Sequence, residues 1–209
     1  MSSILEMARD GRPILDALVI DSHCHIGFWH NFHIPNNTAG GMLMSMDSLG
    51  IDRAFITAHS SIGPDYNYGN NIVIAAIEKY PERFLGYATV NPNYVENMKI
   101  ELERCFSFSG IKGIKIHPGT HTPDNSIDNK NYNIAYEMAQ ESKCPILIHV
   151  SGRSAVSAVD KIALRYPDAI FIMGHAGFEV IAMHEALDVV NRHENVYVDL
   201  AISLAYEGN

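Results

Sequence analysis

Seven short apolar, β-branched runs recur along this chain, at residues 18–23, 53–59, 84–90, 113–117, 146–150, 170–175 and 196–200. Each is bounded by turn residues and separated from the next by a longer stretch, and helical spacing of apolar positions marks 72–80, 94–105, 131–142, 154–166 and 182–193. Several of these helices close on a proline that cannot continue them, as at Tyr80-Pro81 and Tyr166-Pro167. Strict alternation of strand and helix requires parallel strands with helical crossovers, so the fold class is α/β.

Two features choose a barrel over an open sheet. A Gly-rich phosphate loop, which a dinucleotide-binding open sheet would carry after its first strand, is missing. The polar residues also fall in one kind of place: His23, His25, His59, His117, His149 and His175 lie at or just past the C-terminal ends of different runs. In a (β/α) barrel those ends converge on one face, which holds the active site.

The runs repeat at about 29 residues between His23 and Asp199. A closed (β/α)8 TIM-type barrel needs eight repeats, typically about 250 residues in all. The sequence therefore reads as one domain over 1–209, of TIM-barrel type, C-terminally incomplete and lacking the eighth strand.

Composition removes several classes of function. With 47% hydrophobic and 19% charged residues the chain is a folded globular protein. Its net charge is −9, and its 15 Lys and Arg are scattered, which leaves no footprint for nucleic acid. Neither a signal sequence nor a membrane-length apolar run is found, so a soluble, cytoplasmic protein is expected. Cys24, Cys105 and Cys144 are odd in number and widely spaced, unlike a disulfide framework or zinc knuckle. Small-molecule partners are expected, anionic ones among them, and a homo-oligomer is allowed.

The chemistry starts at Asp21-Ser22-His23-Cys24-His25. Alternation puts His23 and His25 on one strand face, about 6.5–7 Å apart at Cα, with Ser22 and Cys24 turned to the helices. Two such imidazoles can converge on one cation; the alternative is a pair that merely ends a strand. His149 ends the wholly apolar Ile146-Leu147-Ile148, where an unpartnered imidazole would be costly to bury, so a third ligand is the simplest reading. His175, in Met173-Gly174-His175-Ala176-Gly177, repeats the pattern beside glycines that leave room for a substrate or ion. For either one alone, a satisfied core histidine is the competing reading.

Lys115 and His117 share a face of the fourth run, which places a lysine inside the barrel. It could orient a substrate carboxylate, bridge two metals after carbamylation, or pair with an internal acid such as Asp21 or Asp199. Arg153, just past the fifth run, could grip an anionic substrate bidentately or simply cap the next helix. Trp29, His30, His33, Tyr66 and Tyr68 are candidates for a pocket wall.

His-x-His on the first run, Gly113-Ile114-Lys115-Ile116-His117-Pro118 on the fourth, His149 on the fifth and Gly174-His175 on the sixth together resemble the amidohydrolase superfamily. The Lys-x-His-Pro segment is most similar to the amidohydrolase-related branch that includes carboxymuconate-semialdehyde and resorcylate decarboxylases and several lactonases. The resemblance implies that His23, His25 and His149 bind a divalent metal, zinc first and manganese second. It implies His175 as the catalytic base or polarising group; Lys115, His117 and Arg153 are expected toward the substrate from their positions. The family's aspartate at the end of an eighth strand has no counterpart; Asp199 belongs to the seventh and reads as a partner of the ligands.

The expected activity is hydrolysis of an amide, ester or lactone by a metal-activated water. Non-oxidative decarboxylation of an unsaturated or aromatic carboxylate is the alternative, and a catalytically inactive barrel remnant with a binding role is the second. Without the last aspartate, weak metal binding and slow turnover are expected.

Overall fold

The computed structural model describes residues 4–14, 16–63, 65–122 and 126–203. All seven runs become strands: β1 Ile20–Ile26, β2 Arg53–Ala58, β3 Phe84–Thr89, β4 Ile111–Ile116, β5 Pro145–Ser151, β6 Ile170–Gly177 and β7 Val196–Val198. They form one parallel sheet in sequence order, β1 to β7. The helices are α1 Ile4–Arg9, α2 Ala39–Leu49, α3 Tyr66–Lys79, α4 Val95–Phe106, α5 Pro118–His121, α6 Asn133–Ser142, α7 Arg153–Arg165 and α8 Val180–Arg192.

The sheet is curled, and contacts between strands that are not neighbours prove it. Tyr87 of β3 donates its hydroxyl to the Ser22 carbonyl of β1 at 2.9 Å. Lys115 of β4 reaches His23 of β1 at 3.1 Å, and His23 reaches Asp199, just past β7, at 2.9 Å. Among the described residues no eighth strand closes the ring between β7 and β1.

Strand alternation produces two apolar layers. Outward residues such as Ile56, Ile114, Ile146, Ile148 and Phe171 pack under Val73, Leu102, Tyr136, Val159 and Val189 of the helices. Each such side chain contributes about 1.5–3 kcal/mol relative to staying exposed. Inward residues fill the bore: Phe55 packs on Tyr87 with ring centroids 5.0 Å apart, and Leu147 is fully buried.

The helix α2 has no counterpart among the five helical readings, because its opening Gly40-Gly41 pair and weak amphipathic pattern hide it. Local caps define it instead. The Thr38 hydroxyl accepts from Gly41 N, and Gly50, at φ +70°, closes it in the left-handed conformation that glycine adopts freely. Asp65 likewise accepts from Tyr68 N and starts α3 at Tyr66, six residues before the apolar spacing becomes visible.

Strand ends shift for physical reasons too. β1 runs to Ile26, so His23 and His25 lie inside it rather than at its end. β7 stops at Val198 because the Asp199 carboxylate accepts from Ala201 N at 3.0 Å and turns the chain away from the sheet. Among the described residues no helix is long and apolar enough to cross a membrane, and all three cysteines are free and buried.

Candidate metal centre

The C-terminal half of the bore holds a continuous series of imidazoles. His25 and His23 rings lie 5.1 Å apart, His23 and His175 4.9 Å, His175 and His149 4.8 Å, and His149 and His117 4.0 Å. Beyond His25 the series continues through His59 at 4.8 Å and Trp29 at 5.3 Å to His30 at 4.4 Å. Histidines of β1, β5 and β6 and from just past β2 and β4, 152 positions apart between His23 and His175, thus come together.

Hydrogen bonds decide which nitrogens face inward. His175 Nδ1 stands 2.7 Å from the Ala201 carbonyl, which can only accept, so Nδ1 carries the hydrogen and the Nε2 lone pair is free. His23 Nδ1 donates in the same way to Asp199 Oδ2 at 2.9 Å. Its Nε2 faces Lys115 Nζ at 3.1 Å and His25 Nε2 at 3.2 Å. His25 is oriented from behind by Thr57 Oγ1, 2.7 Å from its Nδ1. His149 Nδ1 is 3.1 Å from His175 Nε2. Outer partners of this kind set the tautomer and aim of metal-binding imidazoles.

Electrostatics keep the rings neutral. Burial, reinforced by the Lys115 charge, pushes His23 down to about 4 against the pull of Asp199, and His149 down to about 3. His25, His59, His117 and His175 are lowered as well, in each case chiefly by burial. Burial alone would raise the Asp199 carboxyl, but hydrogen bonds from His23 and from the backbone N–H groups of His175 and Ala201 outweigh it and hold the group ionised. Lys115 is completely buried, and burial lowers it to about 7 against the opposing field of Asp199.

Neutral imidazoles with inward lone pairs, next to an ionised carboxylate, make a donor set suited to a divalent cation such as zinc or manganese. His23, His175 and Asp199 each offer one ligand atom, all within 4.8 Å of one another, and His25 and His149 adjoin them. The residues present therefore fit a metal ion.

The backbone is built around this cluster. His175, Ala176 and Phe178 take φ of +66°, +47° and +65°, a left-handed run at the end of β6 that costs non-glycine residues about 1 kcal/mol or more each. Gly174 is required by close approach: a Cβ there would stand 2.9 Å from the Ile148 carbonyl oxygen and 3.2 Å from His23 Cε1.

The residues expected from sequence divide accordingly. His23, His25, His149, His175, His117 and Lys115 are brought together. Lys115 bonds His23 directly and meets Asp199 only through its field, while Asp21 instead accepts from His23 N at 3.0 Å. Arg153 is exposed and its guanidinium is taken by Glu185 of α8. Trp29 and His30 join the ring series, Tyr66 is buried in α3, and His33 and Tyr68 are exposed. Thr57 escaped the sequence reading. The signal was a lone hydroxyl in the apolar run Ala54-Phe55-Ile56-Thr57, two residues before His59 and on its face.

A curled parallel sheet with imidazoles and a carboxylate converging at its C-terminal end is a (β/α) barrel arrangement with a candidate metal cluster on its active-site face. The chain belongs to the amidohydrolase family, whose model matches residues 20–207, and that family is metal-dependent. Solved structures agree on the fold. An uncharacterised TIM-barrel protein from Bordetella bronchiseptica has a TM-score of 0.71 at 15% identity, with 90% of this chain and 77% of that one covered. 4-Oxalomesaconate hydratase from Rhodopseudomonas palustris has a TM-score of 0.64 at 18% identity, covering 88% and 74%. A manganese-bound 5-carboxyvanillate decarboxylase from Novosphingobium aromaticivorans has a TM-score of 0.55 at 21% identity, covering 76% and 58%.

Proposed function

We propose that this protein is a metal-dependent hydrolase acting on an amide, ester or lactone carbonyl. The observation that carries the reading is the set of inward lone pairs on His23 and His175, held there by Asp199 and the Ala201 carbonyl. In this reading His23, His25 and His149 hold a divalent ion, zinc or manganese. When bound, such an ion supplies Lewis acidity to a carbonyl and lowers the pKa of a water molecule.

The chain's own residues do the rest. Asp199 and Thr57 fix the aim of His23 and His25 through their Nδ1 atoms. His175, neutral and with its Nε2 lone pair turned inward beside His149, accepts a proton from the attacking water and returns it to the leaving group. Burial of His23 and His175 limits bulk water at their ring nitrogens, which strengthens these interactions.

Decarboxylation is the second reading, supported by the decarboxylase among the structural neighbours. One experiment separates the readings. Protein loaded with zinc or manganese is assayed for metal content and for turnover of lactones, N-acyl compounds, esters and aromatic carboxylates. Hydrolysis is expected, with His149→Ala losing the metal and His175→Ala keeping it while losing turnover. Carbon dioxide release from the carboxylates alone would establish the second reading, and failure to take up metal would overturn both in favour of a non-catalytic barrel.

A further inference from the structure

The loops that leave β1 to β4 at the active-site end span 27–38, 59–65, 90–94 and 117–129, and none contains a lysine or arginine. Asparagine is common in them, at positions 31, 36, 37, 91, 93, 125 and 129. Lys115 is buried against His23, Arg153 is held by Glu185, and Lys130 is exposed beside Asn131, whose Nδ2 donates to the Pro92 carbonyl. The whole chain carries a net charge of −9.

These loops frame a cleft of about 410 Å³ lined by His30, Gly63, Asn91, Asn93, Tyr94 and Thr120. Both of its sides lead to the histidine centre. On one side His30 packs at a tilt against Trp29 and Trp29 against His59, and His59 stacks on His25. On the other, Thr120 Oγ1 is 3.0 Å from His117 Nδ1, and His117 stacks on His149. The cleft thus adjoins the centre, through side chains in contact, on the β1 to β4 side.

Its polar groups are held in place before any ligand arrives. Asn91 Oδ1 accepts from Asn93 N at 3.1 Å and from Asn93 Nδ2 at 2.8 Å. Asn93 Nδ2 also donates to the His121 carbonyl at 2.6 Å, and His121 Nε2 donates to the Gly63 carbonyl at 3.0 Å. A carboxylate entering here would lose its hydration with no fixed cation to replace it, which is costly. An amide or hydroxyl would exchange water for the amides and hydroxyls of the wall at little cost.

We infer that this cleft is the subsite for an uncharged, amide- or hydroxyl-bearing part of the substrate, and that it discriminates against a carboxylate in the same position. The inference rests on the histidine centre being the reaction site, and it names the substrate class that centre takes.

The test uses an isosteric pair on metal-loaded protein: the phenyl ester of adipamic acid against phenyl hydrogen adipate, which differ only in a terminal amide or carboxylate. The amide ester is expected to have a kcat/KM at least about tenfold higher, since a site that hydrogen-bonds its substrate rejects a mismatched group strongly. His30→Arg, which places a cation in the cleft, is expected to shrink that ratio about tenfold or reverse it. Equal rates, or a preference of the unaltered protein for the carboxylate, would overturn the inference.

If neither ester is turned over, the hydrolase reading fails and the subsite is still decided by binding. Trp29 is the single tryptophan and neighbours His30, so its fluorescence reports ligands in the cleft. Adipamide is expected to bind more tightly than adipate, with His30→Arg reversing the order. An order that favours adipate in the unaltered protein, or one that His30→Arg leaves unmoved, overturns the inference.

Discussion

Two buried polar clusters in this molecule sit a few strands apart and are built on opposite rules. Behind β3, Glu101 of α4 accepts from Arg104 Nε at 2.8 Å, Arg104 Nη2 at 2.7 Å and Asn70 Nδ2 at 2.9 Å. Asn70 exchanges bonds with the Thr89 backbone, Thr89 meets Ser61 at 2.8 Å, and Ser61 donates to the Ala58 carbonyl. Donors there meet acceptors, as burial requires. In the bore, by contrast, His23 Nε2 and His175 Nε2 are lone pairs turned toward other ring nitrogens. The first cluster is complete and stabilises the packing of α3 and α4 on the sheet. In the second, ring nitrogens crowd one another beside the Lys115 ammonium, and the proposed metal site rests on that arrangement.

The comparison is broken most directly at His23. His23→Ala should weaken zinc or manganese binding by more than about a hundredfold, as read by competition with a chromophoric chelator. The metal-free protein should lose about 1–3 kcal/mol as well, because the buried Asp199 and Lys115 lose a shared partner. An unchanged metal affinity would show that the bore is merely a second structural network.

Glu101→Ala should act on stability alone. It removes one partner of Asn70 and the carboxylate of the half-exposed Arg104, and urea unfolding should show a loss of about 1–2 kcal/mol. Metal affinity per folded molecule should stay within a few-fold. A large change in metal affinity would mean that the two clusters are coupled.

Gly174→Ala tests whether the bore is tightly fitted, since the new methyl group would press on both the Ile148 carbonyl and His23. About 1–3 kcal/mol of stability should be lost, and metal affinity should fall with it. Thr57→Val removes only the hydroxyl behind His25 and keeps the volume. Metal affinity should fall about tenfold, with a shifted cobalt absorption spectrum and unfolding changed by less than about 1 kcal/mol.

The smallest expected effect is on pH. Burial alone would raise the Glu101 carboxyl, but the Arg104 and Asn70 hydrogen bonds outweigh it and hold the group below its ordinary 4.5. A carboxyl lowered by folding stabilises the folded state above that ordinary value, and the contribution is lost as pH falls below it toward the lowered one. Urea midpoints should therefore drop more steeply in the native protein than in Glu101→Gln between about pH 5 and pH 3. Equal slopes would remove Glu101 from the account of acid stability.

What was legible in the sequence followed from short-range rules. A period of two along a strand put His23 with His25 and Lys115 with His117, and alternation with helices put those faces inside a parallel barrel. Capping chemistry outweighed hydrophobic period where the two disagreed, which is why α2 stayed hidden behind Gly40-Gly41 and α3 began at Asp65. Arg153 was equally open to both readings from its position, and only the nearness of Glu185 on the next helix committed it.

By itself, then, the sequence determined the class of fold, the ring of strand-end histidines and the absence of cations in the loops around them, because each depends on residue type and local period alone. The tertiary structure decided the rest: which ring nitrogen of His23 and His175 faces inward, that Asp199 crosses the bore to His23, that Lys115 bonds a histidine rather than an acid, and that residues of four loops meet in one cleft. Those are matters of distance across a curled sheet, and curl is set by the packing of the whole chain, which no local pattern encodes.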